Sequence, residues 1–145
     1  MLIHTRAASV TASVSGIPAA DGEYRPGTCN IGPAEIARRR RADHAGLLIT
    51  IVVLAGLVAI GAPPVARLLV ALPAAMSASG YLQAWLRFCA GFGSRGVFNF
   101  GALGSTQQVV DPGARARDRG MAIRIGLASL AVGVAVAALA VLLPL

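Results

Sequence analysis

Lysine is absent from this chain, and six acidic residues stand against thirteen arginines. Charged residues make up only 13% of the 145 positions, far fewer than a water-soluble domain of this size displays, which disfavours a soluble enzyme or carrier. Aromatic residues are scarce at 5%, and cysteine occurs only at Cys29 and Cys89. Two cysteines with His4 and His44 do not compose a zinc pattern. A P-loop, a dinucleotide glycine motif, an HExxH pair and a Gly-x-Ser-x-Gly elbow are all missing, which removes the common nucleotide-binding and hydrolytic classes. No repeat runs through the 17 glycines and 8 prolines.

What is present is apolar: 56% of residues are hydrophobic, and the mean hydropathy is +0.70. Three runs carry that excess, Ala45 to Ala62, Val65 to Leu86 and Ile125 to Leu145. Each approaches or exceeds the ~18 residues that a helix needs to cross a bilayer. They predict an all-α integral membrane protein with three transmembrane helices at about 45–62, 65–86 and 125–145. Residues 1–32 form a flexible N-terminal segment in this reading, and 33–145 a three-helix membrane domain with an ordered interfacial loop. A signal peptide does not fit the first run, which starts 44 residues in and ends on Gly61-Ala62-Pro63-Pro64. No Asp or Glu lies within the runs, which weakens a proton-coupled transporter.

Arginine placement predicts orientation. Arg38 to Arg41 precede the first run, and Arg87, Arg95, Arg115, Arg117, Arg119 and Arg124 lie between the second and third. Only Arg67 sits on the opposite side, from which it is expected to snorkel to the headgroups. Positive residues favour the cytoplasmic face, so the sequence reads as a multi-pass bacterial inner-membrane protein, N-terminus cytoplasmic and C-terminus outside. This also explains a pI near 11.3 without a nucleic-acid partner. Gly32-Pro33-Ala34-Glu35 reads as a helix start, with Glu35 near the exposed amides. From there a helix runs unbroken through Arg38, Arg39, Arg40 and Arg41, which point nearly all round it. They serve either as a topology anchor or as a site for membrane lipids or a partner.

Small residues recur every fourth position: Ala55 and Ala59; Ala71, Ala75 and Ser79; Ser129, Gly133 and Ala137. Such stripes let helices approach closely, within the chain, between copies or against another membrane protein. Pro73 is expected to bend the second span. Six of the seven aromatics fall between residues 81 and 100. Tyr81, Trp85, Phe88 and Phe92, spaced 4, 3 and 4, are predicted to share one side of a helix continuing from the second span. They form either an interfacial belt or a docking face for a partner helix, quinone or pigment. Gly93 to Gly101 reads as a glycine-shaped loop. Cys29 and Cys89, each near arginine, are either candidate reactive thiols for redox or sulfur handling or two small half-buried residues.

Cys29-Asn30-Ile31-Gly32, Glu35, the arginines, an apolar helix pair and Phe88-Cys89 resemble a small bacterial inner-membrane module that occurs alone or after rhodanese (sulfurtransferase) domains. The resemblance covers about residues 29–93. It implies two spans with a cysteine near the end of the second, here Cys89. The chain departs from that pattern by its third run, its Phe-Asn-Phe loop and the lack of a rhodanese domain. The expectation is a non-enzymatic accessory or structural subunit of a membrane complex, without cofactor or catalytic residue. The alternatives are a membrane-bound thiol carrier and, less favoured, an oligomeric small-solute channel.

Overall fold

The computed structural model describes residues 22–144; His4, the rest of the leading tail and Leu145 lie outside the described residues. Three helices in it are long and apolar enough to cross a membrane. The first, α1, spans Pro33–Ala59, with proline at the N-terminus where its missing N–H is no loss. It runs without a break through the arginines, as expected. It ends where Gly61 takes a left-handed conformation (φ 64°) and Ala62 N–H bonds back to Leu57 at 3.0 Å, before two prolines forbid continuation.

The second of these apolar helices is built in two parts, a 3-10 turn over Pro64–Val70 and α2 over Ala71–Trp85. Pro73 sits in the first turn of α2, where the helix tightens from one form to the other, so it does not bend the middle of a span. Arg67 does not snorkel. It is buried in this 3-10 turn and donates from Nη1 to the carbonyls of Ala140 and Leu143, both at 3.0 Å. A guanidinium thereby satisfies carbonyls left over at the end of the last helix.

After α2 the chain does not continue as a helix. Arg87 adopts φ 53°, Phe88 N–H reaches Gln83 O at 3.0 Å, and Phe88 packs against Leu82. That is the same glycine-type cap as at Gly61, made with an arginine at a cost of roughly 1–2 kcal/mol. The expected single aromatic face is therefore broken. Trp85 is 79% exposed, whereas Phe88 and Phe92 are buried in separate clusters. A short helix α3 (Ala90–Arg95) follows, then strands β1 (Val97–Phe98) and β2 (Gln107–Gln108), which pair antiparallel. Part of the expected glycine loop is thus helix and part hairpin.

The last helix, α4, spans Pro112–Leu142 and starts 13 residues before the apolar run at Ile125, shortening the expected loop of nearly forty residues. Asp111 caps it, accepting from Ala114 N–H at 2.7 Å, with Pro112 in the first turn. The central layer is α2, which packs on α1 on one side and α4 on the other. Gly46 meets Ser77, and Gly133 meets Ala71 and Ala75. The stripes on α2 and α4 therefore face each other, whereas Ala55 and Ala59 on α1 are exposed. Residues 22–32, read from sequence as part of a flexible segment, have a definite path: a turn closed by Arg25 and Cys29 packs against α4.

Candidate functional site

Glu35, Arg39 and Asp43 recur every fourth residue and so line one face of α1, the face turned to α2. The Glu35 carboxylate accepts from Arg38 Nη2 at 3.0 Å and from Asn99 Nδ2 at 3.3 Å, with Arg39 Nη2 at 4.0 Å. Arg39 reaches across the interface, donating from Nη1 to Gln83 Oε1 (3.1 Å) and from Nη2 to Cys89 Sγ (2.9 Å). Gln83 is fully engaged: its carbonyl also takes Ala90 N–H at 2.9 Å, and its amide donates to both oxygens of Ser79. Cys89, 3% exposed, caps α3 by accepting Phe92 N–H at 3.2 Å. Its backbone makes a reciprocal pair with the Asn30 side chain, at 2.6 and 3.1 Å. Asn99 closes the knot by taking Gly101 N–H and Ser105 hydroxyl on its oxygen while donating to Glu35 and Ala102.

The third rung, Asp43, is buried over Gly80. A Cβ at position 80 would fall 1.4 Å from Asp43 Oδ1, so only glycine leaves room for the carboxylate there. Ser77 hydroxyl donates to the Asp43 carbonyl at 3.0 Å. His44 Nδ1 contacts the Tyr81 hydroxyl across the same seam. Both carboxylates lie outside the uncharged runs, so the sequence marks Glu35 only as part of a helix start and gives Asp43 no role.

A second buried carboxylate site holds the leading turn. Asp118, wholly buried on α4, accepts Tyr24 hydroxyl at 2.8 Å and Gly27 N–H at 2.7 Å, and Tyr24 stacks on Phe98 at 4.6 Å. Partial burial, then the hydrogen bond and charge of Asp118, raise the Tyr24 pKa above its ordinary value. The folded value exceeds the unfolded one, so the contribution to stability is full below about pH 10 and is lost as pH rises further. In a Tyr81→Phe chain, phenolate absorbance is expected to show Tyr24 ionising well above the usual tyrosine pH. Adding Asp118→Asn should bring it down; an ordinary titration with Asp118 intact would contradict the clamp.

The four arginines in sequence divide into different environments. Arg38 is at the surface with Glu35, and Arg39 lies within the knot. Arg40 and Arg41 line a groove of about 710 Å³ between α1 and the end of α2, with Trp85, Arg87 and a floor of Pro33, Ile36, Ala37 and Ala84. Cys29 lines a separate groove of about 250 Å³ on the other side of Trp85 and Arg87. Both cysteines are free thiols, one half-buried at that groove and one inside the knot. Tyr81 lies on the α1–α2 seam.

Sequence reasoning missed Asp43, Gln83 and Asp118 and named Asn30 and Asn99 only as parts of short motifs, although the 35-39-43 spacing was a readable signal. Chemically the knot is a set of reciprocal hydrogen-bond partners that holds three segments in register, with Arg39 Nε and Asp43 Oδ2 buried beside it without a hydrogen bond. Among the described residues no group of three His, Cys, Asp or Glu side chains is placed to hold a metal ion. Compared with family models, curated proteins and solved structures, the chain matches none.

Proposed function

We propose that this chain is a three-span membrane protein serving as a non-catalytic structural subunit of a membrane complex. The observation that carries the reading is the uncovered flank of α1. Only 11% of its most apolar window is buried, against 28% for each of the other two crossings. Leu47, Leu48, Ile51 and Val52 are exposed along it, and Gly56 has nothing within reach of an added Cβ. Exposed apolar side chains on this scale call for lipid or protein, and Ala55, Gly56 and Ala59 let another helix come close. The arginine-rich end, with α3 and the hairpin, is assigned to the cytoplasmic face of a bacterial inner membrane by the positive-inside tendency.

The thiol-carrier alternative draws on Cys89, whose sulfur meets both Arg39 and Phe92 N–H. A carrier thiol has to meet its exchange partner, so that function would require the knot to open. The structural reading requires no such opening. A photoreactive residue at Ala55 or Ala59, introduced in native membranes, is expected to give one discrete protein adduct, unchanged by Cys29→Ser. Adducts to lipid alone, with a monomer in mild detergent, would refute the subunit role. Recovery of the chain in the supernatant after ultracentrifugation would refute the membrane location.

A further inference from the structure

The groove between α1 and the end of α2 is lined by three arginines, where the two smaller grooves of this end have two each. Among the described residues, the ion pairs of the arginines join Arg38 and Arg39 to Glu35 and Arg117 to Asp111. The guanidinium groups of Arg40, Arg41 and Arg87 have neither a carboxylate nor a side-chain hydrogen bond, and all three line this one groove. They arrive by different routes. Arg40 and Arg41 follow each other on α1, about 100° apart around its axis. Arg87 is delivered by the left-handed cap that ends α2, which turns the chain at the groove's mouth. Three unneutralised cations brought together repel one another and call for an anion with several acceptor oxygens. A guanidinium fork matches a phosphate in that role.

The rest of the lining narrows the choice of anion. Pro33, Ile36, Ala37 and Ala84 make an apolar floor, and the indole of Trp85 stands 79% exposed beside the arginines. A free inorganic anion would gain nothing from that surface. A phosphate carrying acyl chains would, since the Arg41 end of the groove lies one turn before Ala45, where the uncharged stretch of α1 begins, and Trp85 lies where that of α2 ends. Tryptophan is itself favoured at headgroup depth. We infer that this groove binds the phosphate headgroup of an anionic phospholipid, held by Arg40, Arg41 and Arg87 with its glycerol beside Trp85 and its acyl chains running past Arg41 toward the exposed Leu47 and Leu48. The inference rests on the membrane reading above and goes beyond it by naming a ligand.

Trp85 is the single tryptophan of the chain, so it reports on the groove directly. The full chain is reconstituted in phosphatidylcholine nanodiscs containing a small fraction of bromine-labelled phosphatidylglycerol or, separately, bromine-labelled phosphatidylcholine. The anionic lipid is expected to quench Trp85 at several-fold lower content than the zwitterionic one. Arg40→Gln with Arg41→Gln should abolish that preference, since two arginines at about 1 kcal/mol each at a lipid surface are worth a factor of roughly 30. Arg38→Gln, outside the groove, should leave it unchanged, and circular dichroism reports whether each variant keeps its helices. Equal quenching by the two lipids would overturn the site while leaving the membrane reading intact. Quenching by neither would overturn the membrane reading, and the site with it. Displacement of the anionic lipid by inorganic phosphate at matched ionic strength would show a soluble-phosphate site and overturn the lipid assignment.

Discussion

Gly133→Ala is expected to destabilise the bundle by about 2–3 kcal/mol, the range for forcing extra atoms into a packed interface. A Cβ at this position would lie 2.5 Å from the Ala71 carbonyl oxygen and 2.6 Å from Ala75 Cβ, and approaches below 3.0 Å are essentially not seen. The obstructing groups are backbone and the first atom of a side chain, so no rotamer change relieves them. The two helices have to move apart, and Val70, Ala137 and Ala140 lose their packing together. Gly126→Ala, on the same helix with nothing within 4 Å, provides the contrast. It should be neutral or stabilising by up to about 1 kcal/mol, because alanine is the better helix former. Unfolding by dodecyl sulfate in mixed micelles measures both. Equal effects of the two substitutions would mean that α4 does not rest on α2 through this residue.

Arg39→Leu is expected to cost about 3–5 kcal/mol, the usual loss when one partner of a buried ionic cluster is removed. Leucine fills part of the space but donates nothing to Gln83 or Cys89, and it leaves the buried Glu35 and Asp43 carboxylates without the cation between them. Arg38→Gln removes a 3.0 Å hydrogen bond to Glu35, closer than the 4.0 Å approach of Arg39, but from an exposed position, and should cost only about 0–1 kcal/mol. A partial rescue of Arg39→Leu by Asp43→Asn is expected, since the amide needs no counter-charge. If Arg38→Gln and Arg39→Leu proved equally mild, the cluster would be solvated and the four arginines interchangeable.

That interchangeability is what the sequence suggests, and the comparison shows where legibility stops. The three long apolar helices could be read because uncharged runs of about 18 or more residues have few other uses. The start of α1 at Pro33 was readable from its proline. The earlier start of α4 was not anticipated, because Arg115 to Arg124 look like a charged loop; Asp111-Pro112 was the overlooked signal, a capping residue ahead of a first-turn proline. The break after Trp85 had no signal at all. Left-handed caps are inferred from glycine, and here the position is filled by Arg87, so a 4-3-4 aromatic spacing was read as one face. The knot was hidden for a different reason. Weight had been given to acidic residues inside the apolar runs, whereas Glu35 and Asp43 lie just before the first one, where α2 covers them. The differing environments of Arg38, Arg39, Arg40 and Arg41 follow from the 100° step between neighbours, but which of them faces α2 depends on a helix far along the chain.

The clamp at Asp118 ties Tyr24 to a residue 94 positions downstream. During synthesis Tyr24 and Gly27 therefore lack their Asp118 anchor until α4 is being made. At about 5–20 residues per second, the wait is roughly 5–20 s, during which Tyr24 and the backbone around Gly27 stay wet and open to proteases. Of the described helices, the last to emerge from the ribosome fastens the earliest described segment. A nascent chain stalled before residue 118 should be nicked near Gly27, while the released protein resists.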